Sequence, residues 1–185
     1  MTGDVALLSA VKRGAAVLRD AGIAHALGGS FAVYARGGPW PRSHDVDFML
    51  KESDVAAALE AFTEAGMRCE LPPEGWLAKT YDGDTQIDLI HHPSGRAVDD
   101  AMLARAAEFE VESVTMPVLD GTDLVVLKLL SLSEHYCDLG IVLPLVRAVR
   151  EQVDWDLVVK ETDGSPFAEA ALLLCARLGI VPEAR

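Results

Sequence analysis

Three aspartates carry the clearest chemistry in this sequence. His44-Asp45-Val46-Asp47-Phe48 reads as a strand. Alternation then projects Asp45 and Asp47 from one face about 7 Å apart, while Val46 and Phe48 face a core. Two carboxylates held that close repel, and one takes up a proton unless a cation sits between them. A donor set of oxygens alone suits Mg²⁺. Taken by itself, the pair also fits the solvated edge of a half-buried strand. Asp88 adds a third acid, alone inside the apolar string Thr85-Gln86-Ile87-Asp88-Leu89-Ile90. An acid in such a strand is costly to bury without a partner, and a metal shared with Asp45 and Asp47 supplies one. Gly28-Gly29-Ser30 lies between an apolar run and a helical pattern, with 14 residues between Ser30 and Asp45. Glycines there let a phosphate approach main-chain amides at a helix start.

These residues need a scaffold, and the hydrophobic pattern supplies one. Val5, Leu8, Val11, Ala15 and Leu18 recur at helical spacing up to Gly22. Ile23–Leu27 reads as a strand, 30–36 as a helix, and Gly37-Gly38-Pro39-Trp40-Pro41 as a loop. His44–Leu50 is the strand of the acid pair. A helix follows from Ser53-Asp54 to Gly66, then a strand at Arg68–Leu71. Trp76–Tyr81 and Thr85–Ile90 flank Asp82-Gly83-Asp84, whose Asp-Gly pair signals a hairpin. A helix at 99–107 and a strand pair at 109–119 complete the first half. From Thr122 the pattern is helical, with breaks at Gly140, Pro144 and Gly164-Ser165-Pro166. The fold class expected is α+β: a mixed sheet flanked by helices over 1–119, then a helical region over 120–185 packed on it.

Composition limits the partners. Sixteen Lys and Arg against 29 Asp and Glu give a formal net charge of −13 over 185 residues. Such a chain repels nucleic acid on average unless a local basic patch overrides the mean, and it attracts cations. No apolar run reaches the roughly 18 residues of a membrane span. The start, Met1-Thr2-Gly3-Asp4, lacks a basic then apolar leader, so a cytoplasmic domain is expected. Cys69, Cys137 and Cys175 form no C-x-x-C pair and read as reduced core residues. His91-His92 lack the spacing of helical zinc ligands.

In Gly29-Ser30, Asp45-Val46-Asp47 and Ile87-Asp88-Leu89, the chain resembles the nucleotidyltransferase superfamily typified by DNA polymerase beta, in its minimal bacterial branch. The resemblance covers residues 22–91, and Arg42-Ser43-His44-Asp45 is also similar to that branch. Beyond residue 120 the chain looks like AbiEii-type toxin nucleotidyltransferases, with one departure. Their D-L-Y-D-L-like string is matched only in part by Cys137-Asp138-Leu139-Gly140.

The resemblance implies transfer of a nucleoside monophosphate from an NTP to an acceptor hydroxyl, with two Mg²⁺ ions and release of pyrophosphate. Asp45 and Asp47 would ligate both ions, and Asp88 would ligate one and help deprotonate the acceptor. Gly28, Gly29, Ser30 and Ser43 would bind the nucleotide's phosphates. Lys128, the one charged residue in Leu124–Ser133, would reach the triphosphate; otherwise it snorkels from an apolar helix. Lys79, Glu134, His135 and Asp138 have no assigned role. Three readings of the acceptor follow, the first preferred and the other two its alternatives. A toxin-type enzyme would act on tRNA 3′ ends, with an antitoxin protein as partner, and a cluster of Arg36, Arg42, Arg68, Lys79, Arg96 and Arg105 near the cleft would receive the RNA. A small-molecule enzyme would modify an aminoglycoside-type polycation. An inactive chain would serve as a nucleotide-binding or antitoxin module.

Overall fold

The computed structural model describes residues 2–41 and 43–181; Arg42 lies outside the described residues. A first helix, α1 (Thr2–Asp20), ends as its sequence dictates. Gly22 takes φ +68° and the Ile23 amide donates back to the Leu18 carbonyl at 2.9 Å, closing the helix with a left-handed residue. Its buried stripe is Leu7, Ala10, Val11, Ala15 and Leu18, whereas Val5 is 69% exposed. The stripe therefore starts two residues later than the sequence spacing predicts, because Leu7 takes the core position.

The strands are β1 (His25–Leu27), β2 (Asp45–Leu50), β3 (Arg68–Glu70), β4 (Leu77–Asp82), β5 (Thr85–Ile90), β6 (Ala107–Val111) and β7 (Val114–Val118). They form one mixed sheet in the order β3-β4-β5-β2-β1-β7-β6. β2 pairs in parallel with β5 and antiparallel with β1, and β1 pairs in parallel with β7. Between the strands run α2 (Gly29–Ala35), α3 (Val55–Glu64) and α4 (Asp100–Arg105). Val46, Phe48, Ile87 and Leu89 are fully buried at the centre of the core. This is the expected α+β mixed sheet with flanking helices.

Two hairpins show how local chemistry shapes the sheet. Asp82 pairs with Thr85, so the loop between β4 and β5 is Gly83-Asp84 rather than the three residues Asp82-Gly83-Asp84. Gly83 has φ +61° and Asp84 is not left-handed, as a type II′ turn requires. Between β6 and β7, Glu112 (φ 49°) and Ser113 (φ 71°) are both left-handed without a glycine. The Tyr34 hydroxyl donates to Glu112 Oε1 at 2.6 Å and holds that turn on α2.

The helical region comprises α5 (Gly121–Leu130), α6 (Leu139–Val149), α7 (Trp155–Glu161) and α8 (Pro166–Arg177). Asp120, Asp138, Asp154 and Ser165 cap their N-termini by accepting backbone amide hydrogen bonds. Gly140 and Pro144 do not break the chain as predicted; both lie inside α6. The amide that Pro144 lacks would have bonded Gly140, in the first turn, so only one bond near the helix end is lost. The real break is 131–138, where Ser133 and Tyr136 form a small bridge. The cysteines also depart from expectation: Cys175 is buried, Cys69 half-buried and Cys137 exposed, because Cys137 sits in that break. Among the described residues no helix is long and apolar enough to cross a membrane.

Candidate functional site

β2 and β5 place the three aspartates together. In their parallel register Asp47 lies beside Asp88 and Asp45 beside Gln86. Carboxylate oxygens of Asp45, Asp47 and Asp88 all lie within 4.8 Å of one another. Neighbouring groups fix their rotamers. The Ser43 hydroxyl donates to Asp45 Oδ1, and Gln86 Nε2 donates to Asp88 Oδ1 at 2.8 Å. Gln86 went unnoticed in the sequence, although its position two residues before Asp88 puts it on the same strand face.

The Gly28-Gly29-Ser30 turn wraps this cluster. The Gly28 amide donates to the Asp47 carbonyl at 2.8 Å, stitching the end of β1 to β2. Gly29 has φ +54°, and a Cβ there would lie 1.8 Å from Asp47 Oδ2. Only glycine lets the carboxylate rest against the backbone at that point. Ser30 Oγ is buried and has no hydrogen-bond partner among the described residues. A buried hydroxyl left in that state is costly.

The electrostatics are those of a site short of positive charge. Burial first, then the charges of Asp45 and Asp88, pushes Asp47 up to about 7. Asp88 is also raised, chiefly by burial, against the Gln86 hydrogen bond, with Asp45 raising it further and Lys79, its cross-strand neighbour, opposing. A divalent cation among these oxygens relieves both effects, and an all-carboxylate donor set fits Mg²⁺. The residues present therefore fit the metal that the sequence motif implies.

The other sequence candidates fall elsewhere or into pairs. Lys128 is half-buried on α5, with Nζ 5.7 Å from the Tyr136 ring centroid. Asp138 caps α6 through the Gly140 amide. Glu134 and His135 lie exposed in the break before it. The basic cluster expected beside the cleft is largely neutralised. Arg36 is buried, donating to the Leu119 and Val118 carbonyls and to Gln152 Oε1. Arg68 pairs with Glu70 and stacks on Tyr81. Arg96 pairs with Glu161 at 2.6 Å, and Arg105 grips Asp123 through two bonds of 2.7 and 2.9 Å. These last two pairs line a cavity of about 230 Å³ under α5 that contains none of the three aspartates.

A family model described as "Uncharacterised nucleotidyltransferase" matches residues 4–181. No curated protein sequence matches the chain. Among solved structures, the crystal structure of ANT(2″)-Ia in complex with adenylyl-2″-tobramycin superposes with a TM-score of 0.62 at 12% identity, covering 90% of this chain and 97% of that one. The solution structure of the antibiotic-resistance factor ANT(2″)-Ia gives 0.60 at 13% identity, covering 95% of both chains. An antigenic nucleotidyltransferase-like protein from Paracoccidioides brasiliensis gives 0.56 at 15% identity, covering 94% of this chain and 88% of that one. At these identities the likeness is one of fold.

Proposed function

The chain belongs to the family described as uncharacterised nucleotidyltransferases, and from that premise we propose that it transfers a nucleoside monophosphate from an NTP to a hydroxyl of a small cationic acceptor. The observation that carries the reading is the convergence of Asp45, Asp47 and Asp88 against the Gly28-Gly29-Ser30 turn.

Asp45 and Asp47 would hold two divalent cations. When bound, such cations supply charge neutralisation for a triphosphate. Every other part of the work falls to the chain. Gly28, Gly29, Ser30 and Ser43 would border the nucleotide's phosphates, although the Gly28 amide and the Ser43 hydroxyl are already engaged by the Asp47 carbonyl and Asp45 Oδ1. Asp88, raised by burial and steadied by Gln86, takes the proton of the acceptor hydroxyl. The freed oxygen attacks the α-phosphorus, the bond to the bridging oxygen breaks, and pyrophosphate leaves. Lys128 would steady the outgoing phosphates from α5.

Charge argues for the acceptor class. A net charge of −13, with Arg36 buried and Arg68, Arg96 and Arg105 ion-paired, favours a polycation over an RNA stem. Two structures similar in fold are of the antibiotic-resistance factor ANT(2″)-Ia, one of them in complex with adenylyl-2″-tobramycin. Transfer to tRNA 3′ ends under control of an antitoxin is the second reading; Lys79 beside Asp88 is the cation that favours it.

The test incubates wild type, Asp45→Asn and Lys128→Ala with Mg²⁺ and each α-labelled NTP. The acceptors are an aminoglycoside panel and total tRNA in parallel. Label on an aminoglycoside, absent with Asp45→Asn and with a raised KM for NTP in Lys128→Ala, is the expected result. Label on tRNA moves the chain to the second reading. Failure of wild type to bind Mg²⁺-NTP or transfer label leaves the inactive binding module.

A further inference from the structure

His91 and His92 follow directly on β5, and adjacent strand residues normally point to opposite faces. Here they do not. Both amides donate to the Trp76 carbonyl at 3.1 Å, and His92 leaves the strand with φ −135° and ψ 61°. The twist turns both rings to the same side, with centroids 5.1 Å apart and planes nearly perpendicular. Their Nδ1 atoms face each other at 2.8 Å. Glu52, in a single 3₁₀ turn after β2, brings Oε2 to 4.0 Å from His92 Nδ1. Ligand atoms of all three residues lie within 4.8 Å of one another.

We propose that Glu52, His91 and His92 form a second metal site that binds one divalent transition ion through two imidazole nitrogens and a carboxylate oxygen. The donor set separates it from the aspartate cluster, because imidazole suits nickel, copper and zinc whereas oxygen-only sites suit magnesium. The spacing selects further. An ion about 2.05 Å from each Nδ1 subtends about 86° when the nitrogens are 2.8 Å apart. That matches the right angle of octahedral or tetragonal coordination; a tetrahedral ion needs its nitrogens about 3.3 Å apart.

Access and anchoring complete the case. His91 is buried and pinned by its own carbonyl, which accepts from Val98 at 2.8 Å, while the His92 and Glu52 side chains are 34% and 69% exposed. One ligand is thus rigid, water reaches the remaining positions, and the exposed Glu52 side chain is free to swing the last ångström. The ion ties the exit of β2 to the exit of β5, the two strands that carry the aspartates. Three residue steps along the strand separate His91 from Asp88, about 10 Å, so the two sites load independently.

The experiment titrates Ni²⁺ calorimetrically into the full chain in millimolar Mg²⁺, which competes for the aspartate cluster. One Ni²⁺ per chain is expected in wild type and in Asp45→Asn. Binding at least about tenfold weaker is expected in His92→Ala, with a smaller loss in Glu52→Gln. A second measurement needs no variant: Ni²⁺ should broaden the imidazole resonances of His91 and His92 before those of His25, His44 and His135. Wild-type affinity in His92→Ala, no binding in wild type, or first broadening at another histidine overturns the site.

Discussion

Replacing Asp47 by Asn keeps the shape of the side chain and deletes its charge, so it measures what the cluster costs the fold. Burial, then Asp45 and Asp88, raises this carboxyl from 3.8 to about 7. The folded chain therefore holds that proton more tightly than the unfolded chain. Stability from it is complete below about 4 and is lost as pH rises through 7. At about 1.4 kcal/mol for each tenfold change in proton affinity, the full cost above pH 8 is about 4 kcal/mol. Partial solvation of the side chain and relaxation of its neighbours bring this to about 2–4 kcal/mol. For a chain of this size the unfolding entropy turns that into a Tm gain of about 5–10 °C. Asp47→Asn should melt that much higher than wild type at pH 8.5 and within about 2 °C of it at pH 5. Millimolar Mg²⁺ should raise the Tm of wild type at pH 8.5 and that of the variant much less. Thermal denaturation followed by circular dichroism reads all of this. An equal gain at both pH values, or a loss at pH 8.5, would refute the account of Asp47 as a buried, repelled carboxylate.

Gly29→Ala forces a Cβ to within 1.8 Å of Asp47 Oδ2 at φ +54°. It should cost about 2–3 kcal/mol in urea denaturation and at least about a hundredfold in transfer; a stable, active variant would show that the turn does not hold Asp47. Arg36→Ala removes a buried guanidinium that bonds Leu119, Val118 and Gln152. It should cost about 3 kcal/mol, since two buried carbonyls lose their donor. A loss below about 1 kcal/mol would show that Arg36 does not clamp the sheet to the helical region.

The acid strand was legible because its pattern is strong: Val46 and Phe48 are fully buried and alternate with Asp45 and Asp47. The turn at Gly28-Gly29-Ser30 was legible from its glycines. The β6–β7 turn was harder to place, because Glu112 and Ser113 occupy left-handed positions that sequence rules reserve for Asn and Gly. The arginines were misjudged because pairing is a long-range property. Arg36 meets Gln152 116 positions away, and no window of sequence contains both. His91 and His92 were set aside on helical spacing, when a twisted strand end and a residue from another loop bring their ligand atoms together.

What holds the aspartates in place is the opposite face of the same strands. The carboxylates repel, so nothing in the metal-free cluster favours the register that sets Asp47 beside Asp88. A slip of one residue would send Asp88 to the other face. The apolar side forbids it. Val46, Phe48, Ile87 and Leu89 pack there, and α1 lies across them at Gly14. A Cβ on Gly14 would meet Phe48 Cε2 at 2.7 Å and Ile87 Cδ1 at 3.5 Å. That close approach of helix to sheet requires Phe48 and Ile87 to stand where this register puts them. The core thus fixes the strands against the preference of the charges. The resulting cluster is poised for cations because its own side chains cannot relax away from one another.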